Sequence, residues 1–271
     1  FDNIINATQR RAPLSINATR DWGNTSKGFY EEKSEETFTA NGDFILTAQG
    51  QFGKFSVDGL LGGSIYYYRN KYTDAATKNG LSVPGFYSLK ASVASPTIDV
   101  YRANKQVNSL YGKATIGYAN AIYLDITGRN DWSSTLPEGE NSYFYPSVGA
   151  SVLVSELVKL PDWFNFLKLR GSWTVSKSDI DIYATSQAYT VENAVWDGMN
   201  TASYPTSMYG RVKPITHRTW EIGTTLHFLQ NRLKADFTYY NKLTYNNTTR
   251  TTISSMSGFN SVLVNTDEEY V

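Results

Sequence analysis

Apolar and polar residues alternate with a period of two along most of this 271-residue chain, in blocks of about ten. A β-strand points successive side chains to opposite faces, so each block predicts a strand with one apolar and one polar face. The clearest hairpin runs from Trp220 to Tyr240. Trp220, Ile222, Leu226 and Phe228 share one face, and Glu221, Thr225 and His227 the other. After the turn Leu229-Gln230-Asn231, Leu233, Ala235, Phe237 and Tyr239 repeat the apolar face against Lys234, Asp236, Thr238 and Tyr240. Leu110, Ala114, Ile116 and Tyr118, then Ile122, Leu124 and Ile126, form a second hairpin across Ala119-Asn120. Two further pairs join 44–49 to 55–67 and 148–154 to 167–175. The pattern predicts about ten strands, over 8–22, 35–51, 54–72, 107–118, 121–132, 143–156, 166–176, 218–228, 232–246 and 258–270.

Alternation alone fits a soluble sandwich and a membrane barrel equally. No run of about 18 apolar residues predicts a transmembrane helix, but barrel strands need only about 10 alternating residues each. The connections separate the two. Every second one is short: Gln51 to Lys54, Ala119-Asn120, Leu229 to Asn231, with Val158 to Asn165 the longest of this set. The others span 73–108, 133–142 and 177–218. Sorted connections of this kind suit an up-and-down outer-membrane barrel with short periplasmic turns and long extracellular loops, and a Greek-key sandwich has no reason for them. Twenty Tyr, 13 Phe and 6 Trp beside many Ser, Thr and Asn agree, as interfacial girdles around a polar lumen. The expected fold is therefore all-β: an antiparallel up-and-down transmembrane barrel, with residues 1–271 as one partial barrel domain. Both ends fall mid-pattern, so these residues are expected to expose unpaired edges rather than close a barrel.

The same residues narrow the chemistry. The chain has no cysteine, which removes disulfides and thiol catalysis, and a formal net charge of zero, which gives nucleic acid no bulk attraction. Its two histidines, His217 and His227, have no ligand spacing around them, so no metal or other cofactor is expected. Asp125, Arg129 and Asp131 fall near one strand end with Trp132. Arg129 between two carboxylates suits a wet rim network better than a proton-transfer pair, so the chain is not expected to be an enzyme. A soluble carbohydrate-active β-sandwich enzyme is the remote alternative. A plugless porin-like channel is the nearer one, sharing all of the strand grammar.

Several stretches resemble the SusC/RagA family of TonB-dependent outer-membrane transporters. Leu124-Asp125-Ile126-Thr127-Gly128-Arg129-Asn130-Asp131-Trp132-Ser133-Ser134-Thr135-Leu136-Pro137 is similar to that family's most recognisable run, and Asn141 to Ser151 continues it. Asn79-Gly80-Leu81 with Val83 to Leu89, Val107 to Gly112, Phe166 to Trp173, Trp220 to Gly223 and Tyr239 to Lys242 fit it too. Thr174 to Ile180 departs from the commoner pattern, and the plug domain, the TonB-contacting motif and the closing strand have no counterpart here. The resemblance implies a bacterial outer-membrane barrel of about 22 strands whose lumen a plug fills. It also implies import of an oligosaccharide or peptide, a SusD-like surface lipoprotein as lid, and energy from the TonB complex.

Two groups of candidate site residues follow from parity. Tyr66, Tyr68 and Tyr145, with Trp132, are candidates for stacking on substrate at the lumen mouth, against the plainer reading of a membrane-interface belt. Tyr67 is expected to face lipid. Lys113, Asp125, Arg129, Lys168, Arg170 and Lys234 form the lumen-facing charged set, with the basic members expected to pair with a plug. The loops 73–108, 133–142 and 177–218 are expected to meet the lid and its cargo.

Overall fold

The computed structural model describes residues 1–12, 28–266 and 269–270. Its strands are β1 (Asp2–Ala12), β2 (Phe29–Phe52), β3 (Phe55–Leu81), β4 (Ser92–Tyr118), β5 (Ile122–Ser133), β6 (Ser142–Leu153), β7 (Phe164–Ser178), β8 (Thr190–Trp196), β9 (Met199–Ser203), β10 (Ser207–Tyr209), β11 (Ile215–Phe228), β12 (Leu233–Tyr245), β13 (Thr248–Thr252), β14 (Ser261–Asn265) and β15 (Glu269–Tyr270). One helical turn, α1 (Val154–Leu157), follows β6. Ten strands hydrogen-bond in the linear order β1-β2-β3-β4-β5-β6-β7-β11-β12-β15. Its ladders, such as β4–β5, β5–β6, β6–β7 and β7–β11, are antiparallel.

The chain divides into two compact units. One holds Phe1–Asn41 and Tyr66–Gln106, the other Gly42–Ile65 and Val107–Val271. Strands β2, β3 and β4 contribute one segment to each.

In the second unit the ladders bring the apolar parities into register. Ile126 lies opposite Ala114 and Val148, Leu169 opposite Val152, and Ile222 opposite Tyr239. The residues of this face are the exposed ones: Ile222 and Phe237 at 62%, Leu110 at 53%, Leu169 at 47%. In a sandwich this face would lie against a second sheet. Among the described residues none covers it, and an apolar surface of this extent is not stable in water. The sandwich alternative fails on that observation.

Short turns hold one end of the wall together. Ala119 and Asn120 both take positive φ, 52° and 56°, the paired left-handed conformation whose twist matches a two-residue hairpin. Leu229, Gln230 and Asn231 also have positive φ, which costs energy for residues with a Cβ. The Gln230 amide donates to the Asn165 side chain at 2.7 Å and the Leu229 amide to the Trp163 carbonyl at 2.9 Å, which hold that turn in place.

The sequence expectation needs four corrections. The supposed loop over 73–108 is mostly strand: β3 continues to Leu81 and β4 starts at Ser92. Thr73 to Asn79 is polar or small on both faces, and in the outer part of β4 Val93, Ile98 and Val100 are too few and too broken by Ser95-Pro96-Thr97 to mark a strand, so the hydrophobic signal fades while the hydrogen-bond ladder goes on. For the same reason β2 begins at Phe29 rather than at 35. The first strand begins at Asp2 rather than at 8, and Asp2–Ala12 runs in continuous register with β2 from Asp2↔Thr39 to Ala12↔Phe29; residues 13–22 lie outside the described residues. The expected strand 258–270 is split: β14 joins β10 and β13 in a separate three-stranded sheet, and only Glu269–Tyr270 pairs with β12.

The long connections of the second unit fold into a cap. Leu136, Tyr143, Ile180, Val212 and Leu263 form a buried cluster, with Tyr145, Ala184 and Tyr209 packed against it. Val212 is fully buried. Ser133 donates to the Asp179 carboxylate at 2.6 Å, and Arg211 pairs with Glu140. The β8–β9 hairpin ends in an Asp197-Gly198 turn, both with positive φ, that leaves Trp196 and Met199 exposed.

Candidate functional site

The polar face of the second unit carries a concavity of about 450 Å³. Leu60, Tyr111, Lys113, Thr127, Arg129, Tyr145, Ser147, Thr174 and Ser176 line it. Register explains the set: Tyr111 lies opposite Arg129, which lies opposite Tyr145, and Ser147 lies opposite Thr127 and Thr174. Gly62 on β3 makes room, because a Cβ there would come within 2.5 Å of the Tyr111 ring.

Most charges on this face are neutralised within the wall. The Arg129 Nε donates to Asp131 at 2.7 Å, its Nη2 to Ser109 at 2.9 Å, and its guanidinium lies 5.6 Å from the Tyr111 ring centroid. Asp131, almost fully buried, also accepts from the Tyr145 hydroxyl at 2.7 Å. Lys113 lies 3.4 Å from Asp125, which also accepts from Thr115 at 2.6 Å. Arg170 makes a two-pronged pair with Asp236 at 2.7 and 3.0 Å and donates to Thr225 and Thr238. Gly223 permits this, since a Cβ would stand 2.7 Å from the Arg170 Nε.

Of the charged set, Lys113, Asp125, Arg129 and Arg170 are thus paired inside the wall. Lys168 and Lys234 form no ion pair among the described residues. Both share the lumen parity with His227: Lys234 is opposite it, and Lys168 is opposite Thr225. The aromatic set divides. Tyr145 lines the concavity, but Trp132 falls on the other face: strand alternation sets it with Ile126 and Gly128, and the Phe144 ring covers Gly128. Tyr66 and Tyr68 belong to the first unit, half-buried, on the β3 parity of Asn70 and Tyr72. There Asn70 donates to Glu35 and Thr37, and Tyr72 stacks on Tyr101 at 5.3 Å and donates to Asp99. Tyr67 lies on the opposite parity, 6.2 Å from the Phe38 ring.

The histidines are accounted for by neighbours. His217 Nδ1 is 2.9 Å from the Thr244 hydroxyl. His227 stacks on Phe166. Among the described residues no cluster of His, Asp and Glu could hold a metal ion. Sequence reading missed Asp131 as the hub of this face and Tyr111 as its aromatic floor; the signal was their shared parity with Arg129.

Residues 3–270 match the family described as TonB dependent receptor-like, beta-barrel. The chain belongs to this family of TonB-dependent receptor barrels. The TonB-dependent receptor P26 of Formosa agariphila is 29% identical over 193 residues, which are 67% of this chain and 19% of that relative. Among solved structures, the RagAB peptide transporter matches with a TM-score of 0.77 at 20% identity, over 99% of this chain and 30% of that one. The RagAB peptide importer in its open-open state matches at 0.73, and the FpvAI–pyocin S2 complex at 0.55 with 15% identity. At these identities the structural likeness establishes the fold. It is a SusC/RagA-like one, and the chain spans less than a third of the length of these relatives.

As part of a TonB-dependent receptor of the outer membrane, the wall acquires an orientation. The apolar face meets lipid and the polar face the lumen. Aromatic side chains on the lipid face fall at two levels. Trp132, Phe144, Trp173, Trp220 and Tyr239 stand toward the end bearing the cap, with Trp220 5.4 Å from Tyr239. Phe55 and Tyr118, 4.8 Å apart, and the stack of Trp163, Phe164 and Phe228 stand at the short-turn end. Two such girdles flank the apolar band of an outer-membrane barrel, and Trp132 lies at the level of one of them.

Proposed function

We propose that this chain is the wall and part of the mouth of an importer for oligosaccharides or peptides, lidded by a SusD-like surface lipoprotein and driven by the TonB complex. The observation that carries the reading is the lumen face. Most of its charges are locked in wall pairs, among them those of Arg129 with Asp131 and of Arg170 with Asp236, under a cap with its own core. Such a face offers hydroxyls, an aromatic floor and few free charges to a neutral or zwitterionic oligomer. Tyr66, Tyr68 and Tyr145 remain the candidate cargo contacts, and Lys168 and Lys234 the candidate contacts for a plug. The structural likeness to a peptide transporter supports an importer.

Calorimetric titration of the intact transporter–lipoprotein complex against an oligosaccharide panel and a peptide panel should show binding in one of them. Binding confined to iron chelates or cobalamin would reject the reading.

The lid is assigned to the extracellular loops. In the first unit the connection between β3 and β4 exposes Val83 and Phe86, while Tyr87 and Leu89 anchor it on Tyr30, Leu81 and Ala91. Replacing Val83 and Phe86 by serine leaves that anchor and both strands intact. It is expected to weaken lipoprotein capture in pull-down by about tenfold, the scale of one lost apolar anchor, with normal barrel assembly. Unchanged capture would remove this loop from the lid interface.

A further inference from the structure

Two cations stand on the lipid face just beyond the extracellular girdle. Lys177 continues the β7 parity of Leu169, Gly171, Trp173 and Val175, and Arg218 continues the β11 parity of Ile222 and Trp220. Trp173 lies opposite Trp220, Val175 opposite Arg218, and Lys177 opposite Thr216. Lys177 and Arg218 are therefore diagonal neighbours, about 7–8 Å apart at the backbone. The Arg218 guanidinium lies 5.9 Å from the centroid of the Tyr245 ring, and Tyr245 flanks Thr216 on the other side. Thr216, only 1% exposed, sits in the middle of these long side chains.

Neither cation has a carboxylate partner among the described residues. The contrast with the lumen face is direct, since Lys113, Arg129 and Arg170 are each neutralised there. Height supplies the second argument. From Phe228 in the lower girdle, Arg218 is ten residues along β11. That is roughly 33 Å of strand, or about 25 Å of membrane normal at barrel tilt, the height of the apolar band. The two charges thus reach the level of the outer-leaflet head groups, directly above two tryptophans that meet the upper acyl chains.

We propose that Lys177 and Arg218 form a clamp for the phosphate of an anionic outer-leaflet lipid. The arrangement has two donors on adjacent strands, spaced to share one tetrahedral anion, with Arg218 held in place by Tyr245. Paired phosphate recognition by a guanidinium and an ammonium is favourable in both charge and hydrogen bonding. The clamp is independent of the cargo and of the lid.

The test uses the intact receptor in mild detergent, with retained lipid counted by native mass spectrometry. The probes are diphosphorylated lipid A, phosphatidylethanolamine and inorganic phosphate. The double variant Lys177→Gln/Arg218→Gln is expected to lose lipid A retention by roughly tenfold or more, since each basic residue near an anionic surface contributes separately. Phosphatidylethanolamine retention should be unchanged, and Lys177→Arg/Arg218→Lys should keep lipid A. If the double variant fails to assemble, the single variant Lys177→Gln is expected to lose roughly fivefold. Equal retention by wild type and Gln variants would overturn the proposal. So would complete displacement of lipid A by millimolar inorganic phosphate, which would mark a simple anion site.

Discussion

Replacing Ile126 by arginine is expected to destabilise the assembled barrel by about 2–4 kcal/mol, the cost of a cation near the middle of the lipid face. Ile126 lies between Ala114 and Val148 in the ladder, halfway along β5, and is 43% exposed on the apolar side. Its neighbour Thr127 points to the lumen, where it lines the concavity. Thr127→Arg therefore places the same charge at nearly the same depth in a wet surface, and its cost should stay below about 1 kcal/mol. Urea titration of the intact receptor refolded in lipid vesicles, read by heat-modifiable gel mobility, compares the two. The difference between adjacent positions is the diagnostic quantity, because helix or strand propensity cannot produce it. Equal losses at 126 and 127, or a larger one at 127, would mean that the faces are assigned the wrong way round.

That contrast also explains what the sequence disclosed. Where a strand separates lipid from lumen, as at Leu124-Asp125-Ile126-Thr127, hydrophobicity itself alternates and both strand and face can be read. Strand ends at Ile122, Phe228 and Leu233 fall within one residue of the expectation for this reason. Beyond the membrane the physical cause of the signal disappears. The outer parts of β3 and β4, Thr73 to Leu81 and Ser92 to Gln106, keep their ladders but carry few apolar residues at alternating positions, so they read as loop. The cap is illegible for a different reason. Leu136 and Val212 are isolated apolar residues in polar stretches and Leu263 sits in the short run Val262-Leu263-Val264, and contacts between distant segments bring them together. For the candidate site, parity placed Tyr145, Lys113 and Arg129 on one surface. It could not reveal which charges are already paired, because the Arg170–Asp236 pair spans β7 and β12 across β11.

Asp131 is the position where the lumen wall and the cap meet, and Asp131→Ala should affect both. The carboxylate is almost fully buried and accepts from Arg129 Nε and from the Tyr145 hydroxyl. Its loss leaves a half-buried phenol and a guanidinium short of their partner. Hydrogen bonds to a charged group contribute about 1.5–3 kcal/mol each. Arg129 is 40% exposed and can take up water, so the expected net cost is about 2 kcal/mol rather than the sum. Asp131→Asn keeps an acceptor for one donor and should cost about half as much. The effect should also travel outward. Tyr145 stacks on Tyr143 at 6.2 Å with rings 21° from parallel, and Tyr143 belongs to the buried cluster with Leu136, Ile180, Val212 and Leu263. Releasing the Tyr145 hydroxyl removes the fixed floor under that cluster, so limited proteolysis should cut between 178 and 214 faster in Asp131→Ala than in wild type, while the wall strands stay protected. A variant with wild-type stability and an unchanged cleavage pattern would show that the cap is held by its own core alone and that Asp131 serves only the lumen.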